Sequence, residues 1–108
     1  MPTNLSIQAL IGDVTAATAH HYALKDSVGN QMDTAKIIAN PAGGYLAVYH
    51  TGDSANLATS TDLVTWTFRR TLDPQATQPT ICALPTGGFV TAAEFNNRAG
   101  SGGRVRVR

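Results

Sequence analysis

Sulfur is scarce in this chain of 108 residues, which holds one cysteine and two methionines. A single thiol, Cys82, excludes an internal disulfide and leaves the redox compartment open. Its place in the apolar run Ile81-Cys82-Ala83-Leu84 predicts a packed small hydrophobe, not a nucleophile. Charge is also sparse, at 14% of residues with a formal net charge of +1, so nothing demands a nucleic-acid partner. Apolar runs such as residues 45–49 are far shorter than the roughly 20 residues of a membrane-crossing helix. No membrane partner is expected. The N-terminus MPTNLSIQALIGDV lacks a basic region followed by a sustained apolar block and does not read as a secretory signal. Long helical periods are missing as well, while a hydrophobic content of 43% sets the chain apart from disordered sequences.

What is present is a series of short runs rich in Val, Ile, Thr, Tyr and Phe, broken by Gly, Pro, Asn and Asp about every ten residues, the pattern of an all-β fold. The most informative feature is a repeat. Residues 34–50, TAKIIANPAGGYLAVYH, return as residues 78–94, QPTICALPTGGFVTAAE, without a gap. Ile37/Ile81, Ala39/Ala83, Pro41/Pro85, Gly43/Gly87 and Gly44/Gly88 are identical across it, and Tyr45/Phe89 and Leu46/Val90 are conservative. In both copies a proline presets the turn and a Gly-Gly pair supplies positive φ, which predicts the same tight hairpin twice.

A strand-turn-strand unit repeating at this distance suggests a β-propeller blade of about 40 to 50 residues. The expected architecture is blades of four antiparallel strands, about one complete blade plus most of a second, with the ring incomplete in one chain. Residues 34–77 form the first repeat, with strands predicted at 34–39, 45–50, 56–60 and 65–71. Residues 78–108 form the second, which ends one strand short after the alternating stretch Arg104-Val105-Arg106-Val107-Arg108. Residues 1–33 have no clear copy; 5–11 and 21–25 are candidate strands that pair with a neighbouring blade or chain, and 14–19 reads as strand or loop. Unpaired strand edges invite association, so a homo-oligomer, or a place in a longer propeller, is expected.

Ser60-Thr61-Asp62-Leu63-Val64-Thr65-Trp66 resembles the Asp-box of sialidase-type propellers, S-x-D-x-G-x-T-W, although Val64 stands where the box has glycine and the tryptophan comes one residue early. Those departures are closer to the S-x-D-L-V-x-W turn of the five-bladed arabinanases and β-xylosidases of glycoside hydrolase family 43. The resemblance implies a structural turn, in which Asp62 bonds amides of its own loop, Ser60 supports it and Trp66 packs between sheets. Met32-Asp33-Thr34-Ala35-Lys36-Ile37-Ile38, followed by GGYLAVYHT and LATSTDLVTWT, is similar to the opening blade of the same family. There an aspartate at the start of the innermost strand is the general base, and Asp33 is the matching position. Gln78-Pro79-Thr80-Ile81 is similar to the W-A-P-E-I stretch of a later blade, without its tryptophan and glutamate. The likeness covers about residues 31–94. It implies secretion only if the parent is a processed glycosidase, and no cofactor.

Glycoside hydrolysis requires two carboxyl groups about 5 to 10 Å apart. The seven available are Asp13, Asp26, Asp33, Asp53, Asp62, Asp73 and Glu94, and most sit among turn residues. Asp33 and Glu94 are the catalytic candidates because they flank inner-blade strands; the alternatives are a solvated acid at a strand entrance and a rim residue. Tyr49 and His50 are the substrate-binding candidates. Tyr45, Tyr49, Trp66 and Phe68 either offer a stacking surface for sugars or form one buried blade face. His20, His21 and His50 do not make a metal site, since adjacent strand residues point to opposite faces. Arg104, Arg106 and Arg108 share one face of a strand and with Arg69 and Arg70 make either an anion-attracting surface or a charged edge. The sequence thus predicts a carbohydrate-active, glycoside-hydrolase-like propeller module without a complete active site, or a non-catalytic sugar-binding or scaffold propeller.

Overall fold

A computed structural model of the chain describes residue 12 and residues 23–95 and 104–108. The candidate strand at 5–11, the strand or loop at 14–19, and both His20 and His21 lie outside the described residues, as do the first two residues of the candidate strand at 21–25; in its described part only Lys25 takes part in a β-bridge. Seven strands and no helix form within them: β1 (Asp33–Ala39), β2 (Tyr45–Thr51), β3 (Ser54–Ser60), β4 (Thr67–Asp73), β5 (Ala76–Ala83), β6 (Phe89–Phe95) and β7 (Arg104–Val107). The first four make an antiparallel meander in the order β1-β2-β3-β4, and the last three a second antiparallel sheet, β5-β6-β7. The fold is therefore all-β, with one sheet of four strands and one of three. β4 starts two residues later than the sequence predicts because the Thr65 amide donates to Asp62 Oδ1 (2.8 Å), which keeps the turn open until Trp66 has passed.

The two copies of the repeat fold alike. Leu84 N donates to Gly88 O and Gly87 N to Leu84 O, as Asn40 N does to Gly44 O and Gly43 N to Asn40 O. The register of β1 on β2 slips between Asp33 and Lys36, and that of β5 on β6 slips between Thr77 and Thr80. Each slip carries a non-glycine residue in the left-handed region, Thr34 at φ 49° and Gln78 at φ 47°, at equivalent repeat positions.

Strand pleating divides the side chains of β2 between two cores. Leu46 and Val48 face the second sheet and pack with its Ile81, with Ile38, Leu57 and Leu72 around them. Tyr45, Ala47 and Tyr49 face the other way, where Ala47, Tyr49, Ala58, Trp66 and Met32 form a second cluster. Ala47 pairs directly with Ala58, and this small pair leaves the space that the large Trp66 indole fills. Fully burying a side chain such as Val48 or Ile81 contributes roughly 1.5 to 3 kcal/mol. Trp66 Nε1 has no hydrogen-bond partner among the described residues, so the indole holds its place by packing.

A strap comprising residues 24–32 covers the Tyr49 face. Met32 N donates to Leu24 O (2.8 Å) and Asp26 N to Asn30 O (2.9 Å), while Lys25 and Gln31 form a β-bridge. Phe68 N donates to Ser27 Oγ (2.9 Å) and Thr51 Oγ1 donates to Gln31 O (2.8 Å), tying the strap to the edge strand β4 and to the end of β2. Cys82, expected to be packed, is exposed: it pairs with Val90 on the outward face of the second sheet, the face opposite Ile81.

The hairpin glycines give a direct test. A Cβ on Gly44 (φ +72°) would lie 2.6 Å from the Ser60 carbonyl oxygen, whereas one on Gly88 (φ +80°) meets nothing within 4 Å. Both positions carry the strain of the left-handed region, but only Gly44 adds a backbone collision. Gly44→Ala should destabilise by more than about 2 kcal/mol and Gly88→Ala by about 1 kcal/mol in urea unfolding; equal losses would contradict the assigned contact between the two turns.

Candidate functional site

Asp33 opens β1 and stands opposite His50 near the end of β2. The next residue, Thr34, takes positive φ, a conformation that a β-branched side chain rarely adopts. Such strain concentrates at sites where the backbone is held for a purpose. The Asp33 carboxylate accepts from Gln31 Nε2 (3.0 Å), so the strap also fixes the orientation of this acid. His50 Nδ1 lies 3.0 Å from Gly52 O. A carbonyl only accepts, so Nδ1 carries the proton in this contact. By pleat, His50 lies on the face of β2 that carries Leu46 and Val48.

In the second sheet Thr77 replaces Asp33 and Glu94 replaces His50 as the facing pair. Glu94 also pairs with Val105 of β7 and lines a shallow depression of about 480 Å³ with Gln78, Thr80 and Arg104. This depression lies on the outward face, since Ala92 and Glu94 alternate with Thr91 and Ala93, which line the cavities between the sheets. The pleat sets Asp33 and Glu94 on different faces of the molecule. Of the substrate-binding candidates, His50 is half-buried, while Tyr49 is fully buried with its hydroxyl donating to Asp26. Trp66 is buried as well, and Tyr45 is half-buried against the same cluster, so these aromatic rings belong to a core.

Ser60 and Asp62 build a self-contained turn. Asp62 Oδ1 accepts from the amides of Val64 (2.9 Å) and Thr65 (2.8 Å) and from Ser60 Oγ (3.0 Å). Ser60 Oγ in turn accepts from the Leu63 amide (2.9 Å). These donors, the Thr65 amide foremost, hold the Asp62 carboxyl below the usual aspartate range. Positive φ falls on Leu63 (66°), one residue before Val64. Every acceptor of Asp62 that the turn uses is directed at its own loop.

Two further acids have roles that their turn-like sequence settings conceal. Asp26 is 6% exposed and accepts from the amides of Val28 (3.0 Å) and Asn30 (2.9 Å), from Asn30 Nδ2 (3.0 Å) and from Tyr49. Burial pushes its pKa up, but the hydrogen bonds from Tyr49, Asn30 and Val28 together outweigh it and hold the carboxyl below the ordinary 3.8. Tyr49 moves the other way, raised above 10.0 by burial first and by the Asp26 carboxylate second. Asp73, 4% exposed, accepts from the Gln75 amide (3.0 Å) and from Arg106 Nη1 (2.8 Å), with Arg108 Nη2 at 3.7 Å. Arg106 also stacks 3.8 Å over the Phe95 ring. Among the described residues no group of three His, Cys, Asp or Glu side chains could hold a metal ion.

No family model matches the sequence, and neither a curated protein nor a solved structure is significantly similar to it.

The Asp26–Tyr49 pair sets a pH signature. A depressed carboxyl pKa contributes stability that is fully present above 3.8 and is lost as pH falls through the folded-state value below it. A raised tyrosine pKa contributes stability that is present below 10.0 and is lost as pH rises beyond it. Tyr49→Phe should therefore cost about 1.5 to 3 kcal/mol near neutral pH, the worth of a hydrogen bond to a charged group. It should also remove the alkaline loss and shrink the acid one, read from urea midpoints between acid and alkali. Unchanged profiles would contradict the buried contact.

Proposed function

We propose that the chain supplies consecutive blades of a carbohydrate-active, glycoside-hydrolase-like β-propeller, and that its own carboxylates do not complete a catalytic site. The observation that carries this reading is the polarity of the stacking. The first sheet presents Leu46 and Val48 to the second, which receives them on its Ile81 face. At the equivalent positions the second sheet carries Val90 and Ala92 on its outward face, and the first carries Ile37, 42% exposed, on its far face. Each sheet thus has the same front and back, and front-to-back contacts of this kind propagate and form a ring where the rotation between units closes.

The equivalent slips at Thr34 and Gln78 fit the same scheme, because a bulge at the start of an innermost strand re-aims the side chains beside a central funnel. Asp33 is the acid at that position in the first blade, and Thr77, which cannot ionise, stands there in the second. A second carboxyl group within reach of Asp33 then comes from a blade outside these two sheets. The pair of blades is read as one half of a sugar site, able to hold a glycan but not to cleave it.

On a glycan array the chain should bind pentose- or sialic-acid-bearing glycans, and Asp33→Asn should weaken the signal about tenfold, equivalent to 1.4 kcal/mol, without altering the fold. Hydrolysis of aryl arabinosides, xylosides and sialosides by the chain alone should stay at background. Turnover that survives Asp33→Asn would remove Asp33 as the base, and an empty array would remove the carbohydrate reading.

A second reading, a non-catalytic sugar-binding or scaffold propeller completed by oligomerisation, is favoured by Val105 and Val107, 77% and 62% exposed on the outward face. Sedimentation should then show a dimer or larger ring whose mass falls to the monomer in Val105→Lys; a monomeric wild type would exclude it.

A further inference from the structure

The two sheets do not close on each other everywhere. Between them is a cleft of about 490 Å³, lined by Leu46, Leu57, Leu72, Ile81 and Phe89, with Thr71 and Thr91 and two guanidinium groups, Arg70 and Arg108, completing it. Its apolar wall is incompletely covered: Leu57 and Leu72 are half-buried although they pack against the inter-sheet core, and Phe89 is 41% exposed. The cleft is within the size range of small-molecule sites and has their usual make-up, an apolar body with a few polar groups.

Charge around the cleft is unbalanced. Arg70 makes no ion pair or side-chain hydrogen bond among the described residues. Arg108 approaches Asp73 only at 3.7 Å, because that carboxylate is already engaged by Arg106 at 2.8 Å. Arg106 and Arg108 therefore share one buried carboxylate and Arg70 has none, which leaves an excess of positive side-chain charge beside an apolar surface. Backbone bonds between Thr91 and Arg108, 2.8 Å in each direction, fix the main chain from which the Arg108 side chain extends.

We infer that the cleft between the sheets is a binding site for a small anionic amphiphile, an aliphatic or aryl carboxylate whose tail lies against Leu57, Leu72 and Phe89 and whose carboxylate meets Arg70 and Arg108. A planar guanidinium presents paired donors that match a carboxylate, and an incompletely covered leucine wall gains from contact with a hydrocarbon chain. A neutral or cationic amphiphile of equal length would satisfy the wall but leave the arginines unanswered. The site is separate from the Asp33 end of β1 and does not depend on the carbohydrate reading.

The test is methyl and amide NMR titration of the full chain with decanoate, decanol and decyltrimethylammonium. Decanoate should shift the signals of Leu46, Leu57, Leu72 and Ile81 and bind about tenfold more tightly than decanol, a difference of 1.4 kcal/mol. Arg70→Gln, an exposed substitution that leaves the core intact, should remove most of that preference, and Phe89→Asp should abolish decanoate binding by placing a carboxylate beside the tail. Equal binding of decanoate and decanol, shifts centred on Val105 and Val107 instead of the cleft, or no saturable shift at all would each overturn the assignment.

Discussion

The burial of β2 on both faces is the constraint on which the rest of the structure depends. Leu46, Ala47, Val48 and Tyr49 are all nearly or fully inaccessible, so this strand has no solvent side. An antiparallel sheet of four strands ordinarily leaves one face wet. Here the second sheet covers one face through Ile81, and the strap of residues 24–32 covers the other through Met32. Each cover is then fixed by a buried acid: Asp26 holds the strap through Tyr49, and Asp73 at the end of β4 holds β7 through Arg106. A buried carboxylate is tolerated only where donors surround it, and both acids meet that condition.

The same constraint explains how the two repeats diverge. Ile81 is buried because a sheet lies in front of it, and its counterpart Ile37 is half-exposed because the strap does not reach that far. Tyr49 has Ala93 as its counterpart, so the second sheet lacks the phenol that would anchor a strap of its own. The duplicated sequence encodes two sheets of one design in different surroundings. The stacking of one sheet's Leu46 and Val48 on the other's Ile81 face places Asp33 and Glu94 on different faces.

Much of this was legible in the sequence. Short β-branched and aromatic runs broken by Pro-Gly-Gly turns predicted the strands of both repeats, and the resemblance of residues 60–66 to a known turn motif implied the loop in which Asp62 accepts from its own amides. What escaped was information carried by partners distant in sequence. Asp26 in Asp-Ser-Val-Gly-Asn reads as an ordinary turn acid, and only the fold brings Tyr49, 23 residues away, onto it. Cys82 reads as core from its apolar neighbours, but pleating puts it on the outward face, because alternation decides burial within a strand and local composition does not. The arginines of β7 were expected to share a face, yet their acceptor, Asp73, lies 33 residues earlier in the chain.

Site geometry was harder to read than fold for the same reason. The strand-start position of Asp33 was visible, but the positive φ of Thr34 and Gln78 was not, since neither residue type favours that region. Their equivalence across the repeat is a property of the bulge, which the pairing of β1 with β2 and of β5 with β6 imposes.

Hydrogen–deuterium exchange resolved by residue tests the two-sided burial of β2 most directly. Amides buried in the last structure to open exchange only through global unfolding, whereas edge strands exchange through local opening. The amides of Ala47, Val48 and Tyr49 should be the slowest in the chain and should report its full unfolding free energy, with those of β7 far faster. Exchange in β2 as rapid as in β4 or β7 would contradict the account.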